Sequence, residues 1–402
     1  MSYTPTSKKT FRVATKGGEF STLKACIDYL GTLSTTEGAR IVVDGGEYDI
    51  TDTITINLTM PIFIEGSGAY VSLFQAATGL LNKDMFVIKT DCSFEKVGFR
   101  GDTLANWSTG STATFLKYDT DNVYSELIDF SMDVAKCGIK LSSTSSVFAF
   151  NFVISNCTTG IEVSASTKIP DLDIEVGNFE NCTKGVDIIS GTTGDIYLNN
   201  IRFINPLTGV GITYTGSTFT YNSFSIVGCE WNHVGTFTSG FDFTIARDAD
   251  IEILSCVGTE DKLPHAKINV DGAVASQAIS ATTWTKSSYV NSNSYACKWG
   301  IANNKITYLS NHTKSGMFWI SANFTTSTQP CDMKIGIVKN GNTGTIYGKQ
   351  SIFLDINARP FQVSMNAYIE NINKNDYFEI YLYTAGTETV VLQDLNWLID
   401  TK

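Results

Sequence analysis

Carboxylates alternate with apolar residues in the segment D-L-D-I-E-V, which runs from Asp171 to Val176. If the apolar residues point into a core, Asp173 and Glu175 must project outward, because successive side chains of a β-strand face opposite ways. Two outward residues of one strand then lie about 6.6 Å apart, and residues on adjacent strands about 4.8 Å apart. Glycosidases hold two carboxyl groups about 5–5.5 Å or about 6.5–9.5 Å apart. Asp173, Glu175 and Asp195 are therefore candidates for glycoside hydrolysis, although solvated acids that keep a sheet soluble would show the same pattern.

The outward positions also combine aromatic rings with acids and amides. Rings stack on the apolar faces of sugars, and carboxylates and amides accept hydrogen bonds from sugar hydroxyls. When the repeats are stacked by their corners, Phe148 and Phe150 lie below the acidic segment and Thr218, Thr220 and Asn222 lie beyond Asp195–Asn199. The residues predicted to contact a glycan on this face are Phe148, Asp173, Glu175, Tyr197 and Asn199.

A polar insert, T-L-A-N-W-S-T-G-S-T-A-T, contains Trp107. An exposed tryptophan on such a loop would be a further sugar-binding residue. The alternative is that Trp107 covers an edge of the core.

Other chemistry has little support in the sequence. His233, His265 and His312 are far apart and have no cysteine or histidine partner at ligand spacing, so no metal site and no cofactor are expected. Nucleophile elbows and phosphate-binding loops are absent from the sequence. Whether the protein is an enzyme stays open, and binding without cleavage is favoured.

The outward face depends on a repeat between Val147 and Val257. Phrases such as V-I-S-N-C-T-T-G-I-E-V and V-G-N-F-E-N-C-T-K-G-V-D-I recur, and the corner residues are spaced by 25, 24, 23 and 27 positions. Those corners are Cys157, Cys182, Pro206, Cys229 and Cys256. Repetition at this period, in short strands broken by Gly, Asn and Thr, predicts a parallel β-helix whose turns bury a shared core.

Composition narrows the class of protein. Apolar residues make up 43% of the 402 residues and charged residues 17%, and the net charge is −11. An acidic chain without clustered Lys and Arg is not expected to bind nucleic acid. There is no apolar run long enough to cross a membrane and no visible signal peptide, so no membrane insertion is expected. The nine cysteines never form C-x-x-C and are predicted to be buried core or corner residues.

A short helix is predicted from Ser21 to Leu30, with Ser21 as N-cap and Gly31 at its end. Leu23, Cys26, Ile27 and Leu30 would form its apolar stripe and cap the solenoid. This helix is followed by I-V-V-D-G-G-E-Y-D-I and I-F-I-E-G-S-G. Together these segments resemble the entry of pectate-lyase-like β-helix proteins, and in particular that of bacteriophage tail spikes and fibres. The resemblance implies a right-handed parallel β-helix. The calcium pattern of pectate lyases is not recognisable here.

After about residue 271 the pattern changes to some eight alternating strands with K-N-G-N and N-K-N-D turns, which predicts an antiparallel sandwich. The phrases I-G-I-V-K-N-G and I-N-K-N-D-Y-F-E-I-Y resemble the jelly-roll heads of the tumour-necrosis-factor and C1q type found on many phage fibres. This resemblance implies a homotrimer. The candidate residues for its interface are Tyr368, Tyr377, Phe378, Tyr381 and Tyr383, and the core of a monomeric sandwich would use some of them instead.

The predicted all-β fold therefore has an N-terminal tip (1–19), a β-helix with its capping helix (20–270), a linker (271–280) and a jelly-roll head (281–402). The function that we expect is that of a homotrimeric virion appendage, a tail spike or fibre, which recognises a bacterial surface glycan. Its first residues would attach to other virion proteins. Two alternatives stay open: a glycan depolymerase on the same scaffold, and a non-enzymatic capsid-decorating or structural fibre protein.

Overall fold

The computed structural model of the protein describes residues 9–101, 107, 113–143, 145–164, 171–189, 195–204, 209–215, 223–232, 235–259, 261–272, 276–289, 293–327, 330–354 and 360–401. Within these ranges the chain is β-structure with a single α-helix. It divides into two compact units, one running up to Phe241 and including Ile253–Asp261, the other made of Asp242–Glu252 and the chain from Lys262 onward. The predicted all-β fold is confirmed: a β-solenoid of about seven turns precedes a region of antiparallel sheets.

The first unit contains short strands that recur along the chain. They are β1 (Lys9–Val13), β2 (Ala39–Val43), β3 (Gly46–Ile50), β4 (Ile54–Ile56), β5 (Ile62–Glu65), β6 (Ser72–Ala76), β7 (Phe86–Ile88), β8 (Cys92–Glu95), β9 (Gly98–Arg100), β10 (Thr114–Tyr118), β11 (Val123–Asp133), β12 (Cys137–Leu141), β13 (Ser145–Ser155), β14 (Thr159–Val163), β15 (Leu172–Glu180), β16 (Lys184–Ile188), β17 (Asp195–Ile204), β18 (Val210–Tyr214), β19 (Ser223–Val227), β20 (Glu230–Trp231), β21 (Thr236–Ser239) and β22 (Ile251–Leu254).

These strands form two long parallel sheets. One has the order β1-β2-β5-β8-β11-β13-β15-β17-β19-β22, and the other β21-β18-β16-β14-β12-β10-β7-β4. Strands β3, β6 and β9 join the first sheet through β11, and β20 pairs with β17. Because each strand pairs with its equivalent in the next turn, the apolar residues of successive turns stack into one core.

The capping helix α1 runs from Leu23 to Leu30, with Gly31 at its C-terminus. Its N-cap is Thr22 and not the predicted Ser21, because the Thr22 hydroxyl accepts a hydrogen bond of 3.2 Å from the Ala25 amide. The predicted apolar stripe of the helix is buried.

Left-handed backbone conformations recur at two corners of the solenoid in the described residues. The first corner lies within the long strands or directly after the shorter ones, and its residues have φ between 50° and 63°: Lys96, Asp129, Asn151, Val176, Asn200, Gly228 and Ser255. The second follows about five residues later, at Val134, Asn156 and Asn181, with φ between 52° and 65°. Short polar side chains tolerate this conformation better than bulky ones do, which explains why asparagine recurs at both corners.

The corners correct one part of the predicted register. Cys157 and Cys182 follow the second corner, at Asn156 and Asn181, whereas Cys229 and Cys256 follow Gly228 and Ser255 at the first. Pro206 lies outside the described residues. The 23-residue spacing from Pro206 to Cys229 therefore compares two different corners. As a result, the residues predicted to stack on β17 are numbered five positions too low.

The nine cysteines are all buried free thiols, as the sequence predicts. A ladder of glycines on β12, β14, β16 and β18 makes room for aromatic rings inside the turns. A Cβ at Gly185 would lie 2.5 Å from the Phe203 ring, and one at Gly160 the same distance from the Phe179 ring. The rings of Phe179 and Phe203 stack 5.3 Å apart. The recurring T-G-I and K-G-V phrases are thus packing signals.

The second unit contains twelve strands in the part of the chain that the structure describes. They are β23 (His265–Val270), β24 (Gln277–Ile279), β25 (Thr285–Lys286), β26 (Asn293–Cys297), β27 (Trp299–Ala302), β28 (Lys305–Tyr308), β29 (Lys314–Thr326), β30 (Cys331–Lys339), β31 (Ile346–Leu354), β32 (Phe361–Ile372), β33 (Tyr377–Thr384) and β34 (Glu388–Thr401).

These strands form two antiparallel sheets that share one hydrophobic cluster. We call β26-β23-β34-β29-β32 the first head sheet and β27-β28-β33-β30-β31 the second head sheet. Strand β24 pairs with β34 of the first sheet, and β25 pairs with β33 of the second. Phe318 of the first sheet and Phe378 of the second have ring centroids 4.7 Å apart, so the two sheets pack face to face.

The boundaries of the two units differ from those predicted. Strand β23 pairs with β34 along its whole length, and β24 also pairs with β34, so 265–270 and 277–279 belong to the second unit and not to the β-helix or a linker. At the other end, β1 pairs with β2 and is part of the solenoid, although the sequence predicts a tip up to residue 19. Pairing partners more than a hundred residues away decide the assignment of β23, and local pattern does not show them.

Candidate functional site

The outer face of β11, β13, β15 and β17 brings most of the predicted glycan-binding residues together. Phe148 lies opposite Asp173, and Asp173 lies opposite Tyr197 on the next turn. Beside this row, Glu175 lies opposite Asn199. The inward residues between them, such as Ile174, are fully buried, and this alternation holds the outward residues in one plane.

Beyond Tyr197 the stacked residues are not those predicted. Ser223 pairs with Asp195, Ser225 with Tyr197 and Val227 with Asn199. Thr218, Thr220 and Asn222 lie outside the described residues, and the five-residue offset follows from the misassigned corner at Cys229. The face is therefore less polar at Val227 than the sequence predicts.

An open groove of about 520 Å³ occupies the lower part of this face. It is lined by Tyr124, Glu126, Ile128, Ser146, Val147, Phe148, Asp171 and Asp173. We call it the solenoid groove. Sequence reasoning missed Tyr124 and Glu126, although the alternation V-Y-S-E-L-I from Val123 carries the same outward signal as the segment that contains Asp173.

The carboxyl group of Asp173 is held in an unusual environment. Burial raises the pKa of Asp173 above its usual value, and the charge of Glu175 raises it further. The Asp173 Oδ1 atom is shielded from solvent and accepts no hydrogen bond from the described residues. A half-buried acid that lines a groove and has a raised pKa is suited to transfer a proton to a ligand.

Tyr124 donates a hydrogen bond of 2.7 Å to Glu126 Oε1. Burial raises the pKa of Tyr124 to about 12, and its hydrogen bond to Glu126 and the charges of Glu126 and Asp173 contribute. The hydroxyl therefore stays protonated and fixes one oxygen of Glu126, while its ring forms part of the groove wall.

The aromatic part of the face is ordered by stacking. The rings of Phe148 and Phe150 lie nearly parallel, with an angle of 12° and centroids 6.2 Å apart. Both side chains are half-buried, so part of each ring stays exposed. Two aligned rings beside carboxylates form a surface on which a sugar ring can stack.

At the upper edge of the face, Asp171 and Asp195 each accept a hydrogen bond from a residue of the next turn. The Asp195 amide donates to Asp171 Oδ1 at 3.1 Å, and Ser223 Oγ donates to Asp195 Oδ1 at 2.6 Å. Asp195 is thus already used by a neighbouring hydroxyl, and of the three proposed catalytic acids Asp173 is the one with a free buried oxygen.

Trp107 is not part of this face and is not exposed. Its side chain is fully buried, its indole N–H donates to the Lys83 carbonyl at 3.1 Å, and its ring packs 5.1 Å from that of Phe115. The prediction of a sugar-binding Trp107 is corrected: the residue covers an edge of the core, which was the alternative interpretation.

The proposed interface residues of the second unit fall on different surfaces. Tyr377, Tyr381 and Tyr383 lie on the outer side of β33 in the second head sheet, where Lys334 Nζ lies 4.7 Å from the centroid of the Tyr383 ring. Phe378 is fully buried between the sheets and cannot contact another subunit, because alternate residues of β33 face the core. Tyr368 lies on the outer side of the first head sheet and is 58% exposed.

The outer side of the first head sheet carries further exposed apolar residues that sequence reasoning missed. Trp319 lies opposite Leu398 on β34 and Asn366 on β32, and both Trp319 and Leu398 are 39% exposed. A groove of about 540 Å³ beside Trp319 is lined mainly by serine, asparagine and β31 residues. We call the outer side of the first head sheet, which carries Trp319, Tyr368 and Leu398, the Trp319 face.

The described ranges contain neither a metal-binding cluster nor a helix that could span a membrane. There, no three His, Cys, Asp or Glu side chains are grouped closely enough to hold a metal ion. His233 lies outside these ranges, and the other two histidines are exposed or half-exposed. The single described helix is too short to span a bilayer.

No family model matches the chain, and no curated protein matches it in sequence. Among solved structures it is similar to Geobacillus virus E2 ORF18, with 14% identity over 93% of this chain and 76% of that one, at a TM-score of 0.29. It is also similar to the enzymatically active domain of bacteriophage CBA120 tailspike protein 4, with 10% identity over 94% and 66% of the chains and a TM-score of 0.22. Carrot pectin methylesterase covers 64% of this chain and 86% of its own length, with 12% identity and a TM-score of 0.30. TM-scores this far below 0.5 carry no argument about function.

Proposed function

We propose that the protein is a bacteriophage virion appendage, a tail spike or fibre, that binds a bacterial surface glycan as a homotrimer. The observation that carries the binding function is the outer face of β11, β13, β15 and β17, where half-buried rings and carboxylates lie together on a parallel sheet that includes the solenoid groove. Phe148 and Tyr197 supply flat apolar surfaces on either side of Asp173. Glu175 and Asn199 supply acceptors in the neighbouring row.

This arrangement suits an extended sugar chain. Phe148, Asp173 and Tyr197 follow one another across adjacent strands at about 4.8 Å steps, so they form a continuous track along the solenoid axis. Rings contribute stacking, and carboxylates and amides bind hydroxyls in fixed directions. A rigid sheet loses little entropy on binding, which favours a repetitive polymer as the ligand.

The assignment to a phage virion is supported by sequence resemblance at both ends of the chain. The entry of the solenoid resembles that of phage tail spikes and fibres. The C-terminal phrases resemble jelly-roll heads of the tumour-necrosis-factor and C1q type, and the distribution of consecutive strands β29 to β34 between two antiparallel sheets supports this part of the proposal. A virion location and attachment through the first residues follow from this proposal; residues 1–8 lie outside the described ranges.

The homotrimer is best supported through the Trp319 face. Exposed Trp319, Leu398 and Tyr368 gather on one side of the first head sheet, and Tyr295 on β26 is 51% exposed on the same side. Exposed apolar groups that share one surface are typical of a protein interface. The tyrosines of β33 lie on the other sheet and are less exposed, so Tyr368 is the residue of the predicted set that we retain.

The glycan-binding proposal is tested by binding of the purified chain to surface polysaccharide extracted from candidate host cells. Phe148→Ala and Tyr197→Ala should each weaken binding roughly tenfold, which corresponds to about 1.4 kcal/mol for one lost stacking contact. Tyr70→Ala serves as the matched control, because Tyr70 is an exposed tyrosine outside the groove. Equal affinity of all three variants and the unchanged protein would refute this outer face as the binding site.

A second candidate function, glycoside hydrolysis, is favoured by one specific observation. Asp173 has a raised pKa and an unsatisfied oxygen, which are properties of a general acid. Glu175 follows on the same face at about 6.6 Å along the strand, within the about 6.5–9.5 Å of inverting enzymes. Asp173 would protonate the leaving oxygen and Glu175 would activate water. Shorter oligosaccharides after incubation, absent with Asp173→Asn, would establish cleavage; an intact polymer would exclude it.

A further inference from the structure

Four of the buried cysteines lie in two pairs on adjacent turns of the solenoid. In the first pair, Cys157 stands two residues after Ser155 and Cys182 two residues after Glu180. Ser155 and Glu180 are partners in the parallel register of β13 and β15. The Cys182 thiol donates to the carbonyl oxygen of Ile154 at 3.5 Å. It therefore lies against the turn that contains Cys157.

The second pair, Cys229 and Cys256, repeats this arrangement. The residues that follow them, Glu230 and Val257, form a parallel bridge, and the Val257 amide donates to the Cys229 carbonyl at 2.9 Å. The Cys256 thiol donates at 3.6 Å to the carbonyl oxygen of Ile226, three residues before Cys229, as in the first pair. Equivalent residues on adjacent parallel strands lie about 4.8 Å apart, and the Cα atoms of a disulfide about 4.4–6.8 Å apart. The backbone spacing of both pairs therefore suits a disulfide.

The two pairs differ in their access to solvent. Cys157 and Cys182 are almost completely buried, and the turns that contain β11 and β17 lie on either side of them. Cys256 is 8% exposed and follows β22, the end strand of its sheet in the described residues. Its neighbours Ser255 and Val257 are both exposed. A small reagent therefore reaches Cys256, whereas neighbouring turns shield the first pair.

The environment of Cys256 also favours its ionised form. A hydrogen bond from the Cys229 thiol lowers the pKa of Cys256 to about 7, although burial and the charge of Asp261 oppose this. The same contact raises the pKa of Cys229, which stays protonated. Thiolates are the attacking form in thiol–disulfide exchange. Cys157 lowers the pKa of Cys182 in the same way, so access and not acidity separates the two pairs.

We propose that Cys229 and Cys256 are a redox-sensitive pair that an external disulfide converts into a cross-link between adjacent turns of the solenoid. The Cys256 thiolate attacks one sulfur of a small disulfide such as oxidised glutathione, and one glutathione thiolate leaves. Cys229 then gives up its proton to solvent and attacks Cys256 Sγ, which releases the second glutathione as a thiolate. Two cysteine thiols are oxidised to one disulfide, and the reagent is reduced to two thiols.

The cross-link joins the turn of β19 to that of β22 at the end of the solenoid sheet. In a reducing cytoplasm the pair stays a dithiol, and in an oxidising environment outside the cell it closes. A disulfide restricts the unfolded chain and thereby stabilises the folded one. The cross-link therefore stabilises the end of the solenoid after release from the cell. This chemistry requires neither glycan binding nor a virion, so its failure and that of the proposed function are separate outcomes.

The test exposes the reduced full chain to oxidised glutathione at mildly alkaline pH and then alkylates the remaining thiols in denaturant. Peptide mapping by mass spectrometry should show one disulfide, between Cys229 and Cys256, with the other cysteines alkylated. Cys157 and Cys182 are the internal control, because they have the same spacing but are shielded. The melting temperature of the oxidised chain should rise by at least about 3 °C and return to its original value after dithiothreitol treatment.

Three variants separate the steps. Cys256→Ser should abolish oxidation, whereas Cys229→Ser should trap a mixed disulfide of Cys256 with glutathione. Cys182→Ser is the control and should leave the cross-link intact, and thermal unfolding reports whether each variant folds. The inference is overturned if the unchanged chain keeps all nine thiols, or if Cys256 stays glutathionylated without closing. It is equally overturned if Cys157 and Cys182 oxidise as fast, or if closure leaves the melting temperature unchanged.

Discussion

At the scale of single residues, Asp376 shows how one carboxylate can hold a turn of the second unit. It accepts hydrogen bonds from Asn340 Nδ2 at 2.7 Å and from the Asn373 amide at 2.8 Å, and its Oδ2 lies 2.6 Å from Lys339 Nζ. Its side chain is only 13% exposed. These contacts hold the end of β30 against the connection between β32 and β33. That connection crosses from the first head sheet, which contains β32, to the second, which contains β33.

Burial by itself would raise the pKa of Asp376, but the bonds from Lys339, Asn340 and Asn373 outweigh it and depress the pKa below its usual value. A depressed folded-state pKa stabilises the fold above the unfolded-state pKa of about 3.9, and this stability is lost as the pH falls through the lower folded-state value. We therefore expect Asp376→Asn to cost about 1.5–3 kcal/mol at neutral pH, and the difference from the unchanged protein to shrink in strong acid. Urea unfolding of the full chain followed by tryptophan fluorescence measures both.

Asp332→Asn is a suitable control for this prediction, because Asp332 is an exposed aspartate on β30, the strand that ends at Lys339. It should change the free energy of unfolding little at any pH. A loss in Asp376→Asn that stayed constant down to strong acid would show that the side chain acts through packing and not through its charge.

Residue-level exposure was the part of the site that the sequence predicted least well. Trp107 lies in a polar insert and is nevertheless buried, because a ring 5.1 Å away on β10 covers it. Trp319 lies in the apolar run M-F-W-I-S and is nevertheless exposed, because its neighbour Phe318 takes the inward position. Where both faces of a strand carry apolar residues, alternation alone does not tell which one is the core.

At the scale of elements, the first corner of the solenoid joins seven turns through residues that share one strained conformation. Asn151 has φ 53° and donates from Nδ2 to Asp129 Oδ1 of the turn below at 2.5 Å. Val176, at the same position one turn higher, has φ 50°. A β-branched residue is disfavoured there, whereas asparagine tolerates the conformation.

We therefore expect Val176→Asn to stabilise the first unit by about 1 kcal/mol, because the strain of the left-handed valine is relieved. The Val176 side chain is 40% exposed, so little buried apolar area is lost. The melting temperature of the full chain should rise by about 2–4 °C. Asn151→Val is the reciprocal variant and should lower it. If both substitutions shifted the melting temperature in the same direction, corner strain would not be the cause.

The two corners also explain how far the sequence could define the solenoid. The repeat predicted parallel turns and the correct partners for Phe148, Asp173 and Tyr197, since 25- and 24-residue steps are unambiguous there. It failed at Cys229, because a left-handed residue followed by a buried cysteine occurs at both corners. Gly228–Cys229 at the first corner and Asn181–Cys182 at the second therefore carry the same local signal.

At the scale of the whole molecule, the change from the repeat to alternating strands near residue 271 correctly predicted antiparallel sheets in the C-terminal region. Local sequence could not show that β23 already belongs to it, nor which of its outer faces would be available to a partner. The Trp319 face and the outer side of β33 both carry aromatic residues. They differ in exposure: Trp319, Leu398 and Tyr368 are 39–58% exposed, whereas the β33 tyrosines are half-buried and lysines lie over the rings of Tyr377 and Tyr383.

If three chains associate through the Trp319 face, a charge placed there occurs three times in the assembly and must be buried without a partner, which is costly. We expect Trp319→Arg and Leu398→Arg to convert a trimer into monomers in size-exclusion chromatography with light scattering. Tyr383→Arg, on the second head sheet, should leave the trimer intact. Dissociation by Tyr383→Arg but not by Trp319→Arg would move the interface to β33. A monomeric unchanged protein would contradict the homotrimer, and with it the proposed resemblance of this unit to fibre heads.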